Sequence, residues 1–334
     1  MTKFVLSTLT VAVASTLFAV PSLAKDFVFK PGNHGVNTNG NVVYYTLNTT
    51  WQLSNGDNIT QNNVQGRIFW DTETGGDKSL ASDLTLGTIK VTNDDTGYHS
   101  GVMAFRGYTD SKYKVAVDQV ILGYNTSLQV HDDMKEDQLT INKVVVNSAV
   151  PPGKTSADYE NNKEQFATQI EVWQNGVGTV GATMNIGELV VENDRIVALS
   201  NRTLTASEAY IKNTHLNIGK VTLNQGAKIR SGYSAGGVNS IPETVNATGI
   251  AWAETNLSEI EALGDATIEI DNGTLDIEKI SVASDKTLKI DTHQTSVTGE
   301  SGYKTEALLG SKNGGVLFVH LNNNSTLDFN SKTV

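Results

Sequence analysis

The sequence contains no cysteine. This excludes a disulfide framework, a thiolate metal centre and a lipid-modified cysteine at the N-terminus. Proline is scarce, at five residues, and aromatic residues make up only 7% of the chain. With so little of either and abundant Asn, Thr and Gly, the composition points to short strands joined by tight turns, with few long helices. Basic residues are outnumbered, 25 against 36 acidic ones. An acidic surface repels phosphate backbones and anionic lipid, so nucleic acid and bare membrane are not expected partners. No apolar run of membrane length follows the first 24 residues.

Those first residues read as an export leader. Lys3 supplies a positive start, Phe4 to Val20 is apolar except for Ser and Thr, and Pro21-Ser22-Leu23-Ala24 places small residues where a signal peptidase cuts. Cleavage after Ala24 removes one lysine and no acid, leaving a mature charge of −12. Exported proteins can usually form disulfides, so a chain without cysteine suits passage across a second membrane while unfolded.

What the sequence does have is a nine-residue pattern, apolar-x-apolar-x-x-turn-x-x-apolar. It reads Val120-Ile-Leu-Gly-Tyr-Asn-Thr-Ser-Leu128, Leu189-Val-Val-Glu-Asn-Asp-Arg-Ile-Val197 and Val221-Thr-Leu-Asn-Gln-Gly-Ala-Lys-Ile229. It returns as Ile280-Ser-Val-Ala-Ser-Asp-Lys-Thr-Leu288 and Val319-His-Leu-Asn-Asn-Asn-Ser-Thr-Leu327. The first and third positions alternate as a strand with one buried face requires. The sixth is Asn125, Asp194, Gly226, Asp285 or Asn324, the residue types that enter a left-handed backbone at least cost. A corner between two strands needs such a residue. Weaker copies stand at Ile170-Glu-Val172 and Ile268-Glu-Ile270, and Met184-Asn-Ile-Gly187 matches Leu216-Asn-Ile-Gly219.

Units of this size cannot bury an apolar face alone, but stacked they enclose a continuous core. The fold expected is therefore all-β, a right-handed parallel β-helix (a solenoid) with irregular loops. Residues 25–84 would form an N-terminal β cap and residues 85–334 the stack. The alternative is an antiparallel β-sandwich, for which the hairpin dipeptides Asn272-Gly273 and Asn175-Gly176 speak. Two loops read as helices. Residues 256–264 offer Asn256 as N-cap, Glu259 as its reciprocal partner and Gly264 as a stop; residues 156–167 start at Ser156 after Pro151-Pro152-Gly153.

On these repeats, with the leader and the lack of cysteine, the chain resembles the passenger domains of Gram-negative autotransporters, which belong with the pectin-lyase-like right-handed β-helices. The phrase Leu216-Asn-Ile-Gly-Lys-Val-Thr-Leu-Asn-Gln-Gly-Ala-Lys-Ile229 carries most of the likeness, which spans residues 85–334. The resemblance implies export to the cell surface, the outer membrane or the medium. It implies adhesion to a protein or glycan of a host or neighbouring cell, or self-association, with no membrane insertion of the mature segment. Members of this group end in a membrane β-barrel, whereas here the sequence stops at Leu327-Asp-Phe-Asn-Ser-Lys-Thr-Val334. The resemblance therefore leads one to expect a C-terminal truncation of a longer protein.

Catalytic and cofactor motifs are weak. Gly232-Tyr-Ser-Ala-Gly236 fits a nucleophile elbow, but loop residues follow where a helix is needed. Gly153-Lys154-Thr155 mimics the end of a phosphate loop, but Ser148 replaces its first glycine, and Pro151 and Pro152 remove donors. The 93–97 segment, and Asp132-Asp133 with Glu136-Asp137, match no calcium-loop spacing. The histidines show no zinc pairing. No catalytic residue, metal ligand or cofactor is assigned, and an enzyme is not expected. The competing readings are a secreted polysaccharide lyase or hydrolase on the same fold and a surface-layer protein. The outward repeat positions Thr222, Lys228, Ser281, Thr287 and His320 are mixed polar rather than clustered carboxylates. Tyr98, Tyr108, Tyr233 and Trp252 are the aromatic residues expected at ligand-contacting loops.

Overall fold

A computed structural model describes residues 26–29, 44–46, 55–62, 65–69, 83–92, 101–107, 114–132, 138–149, 155, 167–174, 181–203, 214–232, 251–270, 274–292, 306–309, 318–321, 324 and 326–331. The leader, the 156–166 segment, the hairpin dipeptides, the 93–97 loop, Asp133, Glu136, Asp137, Gly153, Lys154, Tyr98, Tyr108 and residues 233–236 lie outside them.

Strands follow one another along the chain as β1 (Asp26–Phe29), β2 (Tyr44–Thr46), β3 (Asn58–Asn62), β4 (Gln65–Phe69), β5 (Leu84–Thr92), β6 (Gly101–Gly107), β7 (Val115–Leu122) and β8 (Thr126–Asp132). Next come β9 (Leu139–Val146), β10 (Thr168–Gln174), β11 (Thr183–Val191), β12 (Ile196–Thr203), β13 (His215–Leu223), β14 (Lys228–Ser231) and β15 (Ala251–Trp252). The last are β16 (Thr255–Ala262), β17 (Ala266–Ile270), β18 (Thr274–Val282), β19 (Thr287–Thr292), β20 (Glu306–Leu309), β21 (Phe318–Leu321) and β22 (Thr326–Ser331). Apart from β15 and β21, they alternate between two sheets. The first runs β1-β3-β5-β7-β9-β11-β13-β16-β18-β20, with β21 also on β18; the second runs β2-β4-β6-β8-β10-β12-β14-β17-β19-β22. Each winding thus places one strand in each sheet and returns directly above its predecessor, which is a parallel β-helix. Pairing among the described strands is parallel except where β15 joins β12, so the sandwich alternative is not the fold. The strands within 25–84 share these ladders, β1 pairing β3 and β3 pairing β5.

Register explains the repeat. The first position forms one column, Ile59–Ile89–Val120–Val144–Leu189–Val221–Ile260–Ile280, every member fully buried. The third forms another, Val91–Leu122–Val146–Val191–Leu223–Ala262–Val282. Removing each such side chain from water contributes roughly 1.5–3 kcal/mol, and the sum holds the windings together. The ninth position does not keep a single column. Leu128 aligns with Ile170 and Leu199, whereas Val197 aligns with Ile229 and so with Ile268. The weaker copies at 170–172 and 268–270 accordingly belong to the second sheet.

First-sheet strands bend in the middle. In β7 the inward residues are Val115, Val117, Val120 and Leu122, a 2-3-2 spacing that leaves Asp118 and Gln119 both pointing out. The same spacing recurs in β5, β9, β11, β13 and β16. It also corrects the expected helix over 256–264, because Thr255–Ala262 is the strand β16. Its inward residues Leu257 and Ile260 are three apart, as on a helix face, but they sit on Ile218 and Val221 of β13. Burial in the stack outweighs a local capping signal worth about 1 kcal/mol.

Every sixth position of the pattern lies at a corner in the left-handed region: Asn125 (φ 51°), Asp194 (56°), Gly226 (73°), Asp285 (58°) and Asn324 (56°). Among the described residues no other non-glycine residue has positive φ. Gly226 is restricted twice, since a Cβ there would also overlap the Asp194 carboxylate of the preceding corner. Gly226→Ala is expected to cost about 1–2 kcal/mol in urea unfolding. In an Asp194→Gly background only the backbone part of that cost should remain; an undiminished cost would show that the carboxylate contact is irrelevant.

Candidate functional site

The surface with the most regular chemistry is the outer face of the bent sheet. Because inward residues are aliphatic, the residues between them project outwards, and parallel register lines them up from winding to winding. Asn185, Asn217 and Asn256 occupy one such column. Asn217 donates through Nδ2 to Asn185 Oδ1 (2.9 Å), and Asn256 donates to Asn217 Oδ1 (2.8 Å). The Asn-Ile-Gly likeness of 184–187 and 216–219 is this ladder seen in sequence. Its glycines have a packing reason: a Cβ on Gly219 would lie 2.8 Å from the Gly187 carbonyl oxygen, and one on Gly187 would lie 2.7 Å from that of Asn142.

Asn217→Ala breaks both ladder bonds and leaves Asn256 without its acceptor. At roughly 0.5–1.5 kcal/mol per bond, a loss of about 1–2 kcal/mol is expected in the urea midpoint at unchanged slope. An unaltered midpoint would mean that the ladder holds nothing together.

Beyond the bend a second column alternates in charge: Lys143, Glu188, Lys220, Glu259, Lys279. Lys143 Nζ meets Glu188 Oε2 at 2.8 Å, and Lys279 Nζ meets Glu259 Oε1 at 3.0 Å. Lys220 Nζ reaches Glu261 Oε2 at 2.7 Å in the adjoining column. The side-chain hydrogen bond to Glu261 holds the Lys220 ammonium above its ordinary 10.5, and the charges of Glu261, Glu259 and Glu188 add to this. A folded value raised in this way supplies stability below the unfolded pKa, which is lost as pH rises through the folded one. Wild type should therefore lose more melting temperature between pH 10 and 12 than Lys220→Arg, which stays charged; equal losses would refute this role.

The outer face of the second sheet is different. Ser127, Gln169, Glu171 and Ser200 occupy its outward positions, yet all are buried. Among the described residues the Ser127 and Ser200 hydroxyls find no hydrogen-bond partner. Alternation alone reads these as solvated, so no sequence signal marks their burial. Arg195 is likewise buried at a corner, its guanidinium carbon 3.2 Å from the centroid of the Tyr124 ring.

Of the outward residues expected from the repeats, Thr222 is nearly closed off, and Lys228 is paired with Glu269 at 2.9 Å. Ser281 aligns with His320, and Thr287 opens β19. Trp252 lies in β15 opposite Arg202. Among the described residues no three His, Asp or Glu gather as a metal ion would require. No helix among them is long and apolar enough to cross a membrane. Comparison with family models, characterised proteins and solved structures finds no match to this chain.

Proposed function

We propose that this is an exported, surface-displayed protein of autotransporter-passenger type that mediates adhesion or self-association through its repetitive polar solenoid surface. The observation that carries this reading is the pair of outward columns: the asparagine ladder and the alternating Lys/Glu column, held in register on the rigid stack. A surface of this kind offers the same modest contact many times at a fixed spacing. Individually weak hydrogen bonds and ion pairs then act together, and linked sites raise avidity by roughly 10²–10⁴ without new contacts.

The test is to display the mature chain on a non-adherent bacterial host and to measure attachment to cells and glycan-coated surfaces, together with clumping. Attachment or clumping above an empty-display control is expected. Absence of both would overturn the reading. Release of new sugar ends from a polysaccharide panel would replace it with the lyase or hydrolase.

A further inference from the structure

We infer that the alternating Lys/Glu column is a self-recognition code, by which a second copy of this chain docks antiparallel on the same face. The inference rests on the self-association reading above and names its partner and register. Counting by winding, the column runs Gln119, Lys143, Glu188, Lys220, Glu259, Lys279. All five charged side chains remain between about a third and a half exposed, at 39% for Lys143, 33% for Glu188, 40% for Lys220, 32% for Glu259 and 47% for Lys279. They are thus open to a further partner despite their internal pairing.

A two-fold axis lying in this face along the strand direction maps the column onto itself in reverse. Placed midway between the windings of Glu188 and Lys220, it sets Glu188 against Lys220 of the second copy, Lys143 against Glu259 and Gln119 against Lys279. Every charged pair is then opposite in sign. Moved by half a winding, onto Lys220, the axis sets Lys220 against Lys220, Glu188 against Glu259 and Lys143 against Lys279, all of like sign. The column therefore selects one phase of antiparallel docking and penalises the neighbouring one, and an isologous contact of this kind closes at two copies. The adjoining column agrees: Val145 meets Glu261, Val190 meets Thr222 and Ile121 meets Ser281, with no like charges opposed. Asp118 and Glu278, which the same operation would oppose, stand at the bend itself, the position the register skips between Val117 and Gln119 and between Ile277 and Lys279, and this one like-signed pair weighs against the phase that the column favours.

Size sets the strength. Six windings at about 4.8 Å make a face about 25 Å long. Two columns give a width of about 10 Å, well short of the roughly 800 Å² per partner of a stable complex. The pair should be weak in dilute solution, sensitive to salt, and effective where many copies are displayed together.

Two variants test this. One has an all-acidic column (Lys143→Glu, Lys220→Glu, Lys279→Glu) and the other an all-basic column (Glu188→Lys, Glu259→Lys), each checked for folding by circular dichroism. Sedimentation at high protein concentration and low salt is expected to show dimers of wild type. Each variant alone should dimerise at least ~10-fold more weakly, and an equimolar mixture of the two should pair again. Variants that each dimerise as tightly as wild type would overturn this face as the contact while leaving self-association in place. A wild type that stays monomeric and does not clump when displayed, yet still attaches to surfaces, would overturn the code and leave adhesion standing.

Discussion

Val221→Asp is expected to unfold the middle of the stack. Val221 is fully buried between Leu189 below and Ile260 above, in a column that is aliphatic in every winding from Ile59 to Ile280. A carboxylate there has neither water nor a cation, and an uncompensated buried charge costs on the order of 3–5 kcal/mol before any repacking. A solenoid has no distant contacts to absorb the loss, since each winding touches only its neighbours. The damage should therefore centre on β11, β13 and β16 and fade towards both ends. Hydrogen exchange read along the chain measures this, with fast exchange expected at Leu189, Val221 and Ile260. Slow exchange at these amides, with a melting temperature within a few degrees of wild type, would contradict an enclosed aliphatic column. Val221→Ala should cost much less, because it leaves a small cavity and no charge.

Gly264→Val is the second large effect, and here the cause is the backbone. Gly264 sits in the corner between β16 and β17, directly against the corner below. A Cβ would overlap Cα and N of Gln225 and lie 2.8 Å from the carbonyl carbon of Asn224. No rotamer relieves a clash with main chain. The corner must lift, breaking the bond from Gln225 Nε2 to Asp265 Oδ2 (3.1 Å) and that from Asp265 N–H to Gln225 Oε1 (3.3 Å). A loss of roughly 3 kcal/mol in urea unfolding is expected, with partial opening of β17. The neighbouring Leu263, 47% exposed, is the control: Leu263→Ser should move stability by less than about 0.5 kcal/mol. If both changes cost the same, the glycine is not there for packing.

Gly264 also shows how sequence reading can name the right residue for the wrong reason. Read locally, it closes a helix begun at Asn256. In the fold it is needed because two corners pass within backbone contact, and the residue it touches, Gln225, is far away in sequence. The expected helix rested on the capping residues Asn256, Glu259 and Gly264, and the bend supplies a spacing compatible with it. A strand that turns between Leu257 and Ile260 spaces its inward residues as a helix would, and nothing within those eight residues distinguishes the two. Only the parallel partners β13 and β18 do so.

The asparagine ladder was half legible. The likeness of Asn185 and Asn217 is plain in their shared phrase, but Asn256 joins them from a segment with no such phrase, through register alone. The charge column was not legible at all. Its members are separated by irregular loops, so their alternation exists only once the windings are aligned. The same holds for Ser127, Glu171 and Ser200, whose burial on an outward face contradicts their polarity.

By itself the amino-acid order determined where strands alternate and where the chain turns, because both depend on local preferences. On either side of the bend inward aliphatics repeat every second residue, and Asn125, Asp194, Gly226, Asp285 and Asn324 carry the low-cost left-handed backbone. Tertiary structure alone decided which strands are neighbours, where the first sheet bends, and which side chains share a column. Those outcomes depend on contacts between windings whose separation is set by loops of unequal length, and no local preference encodes that distance.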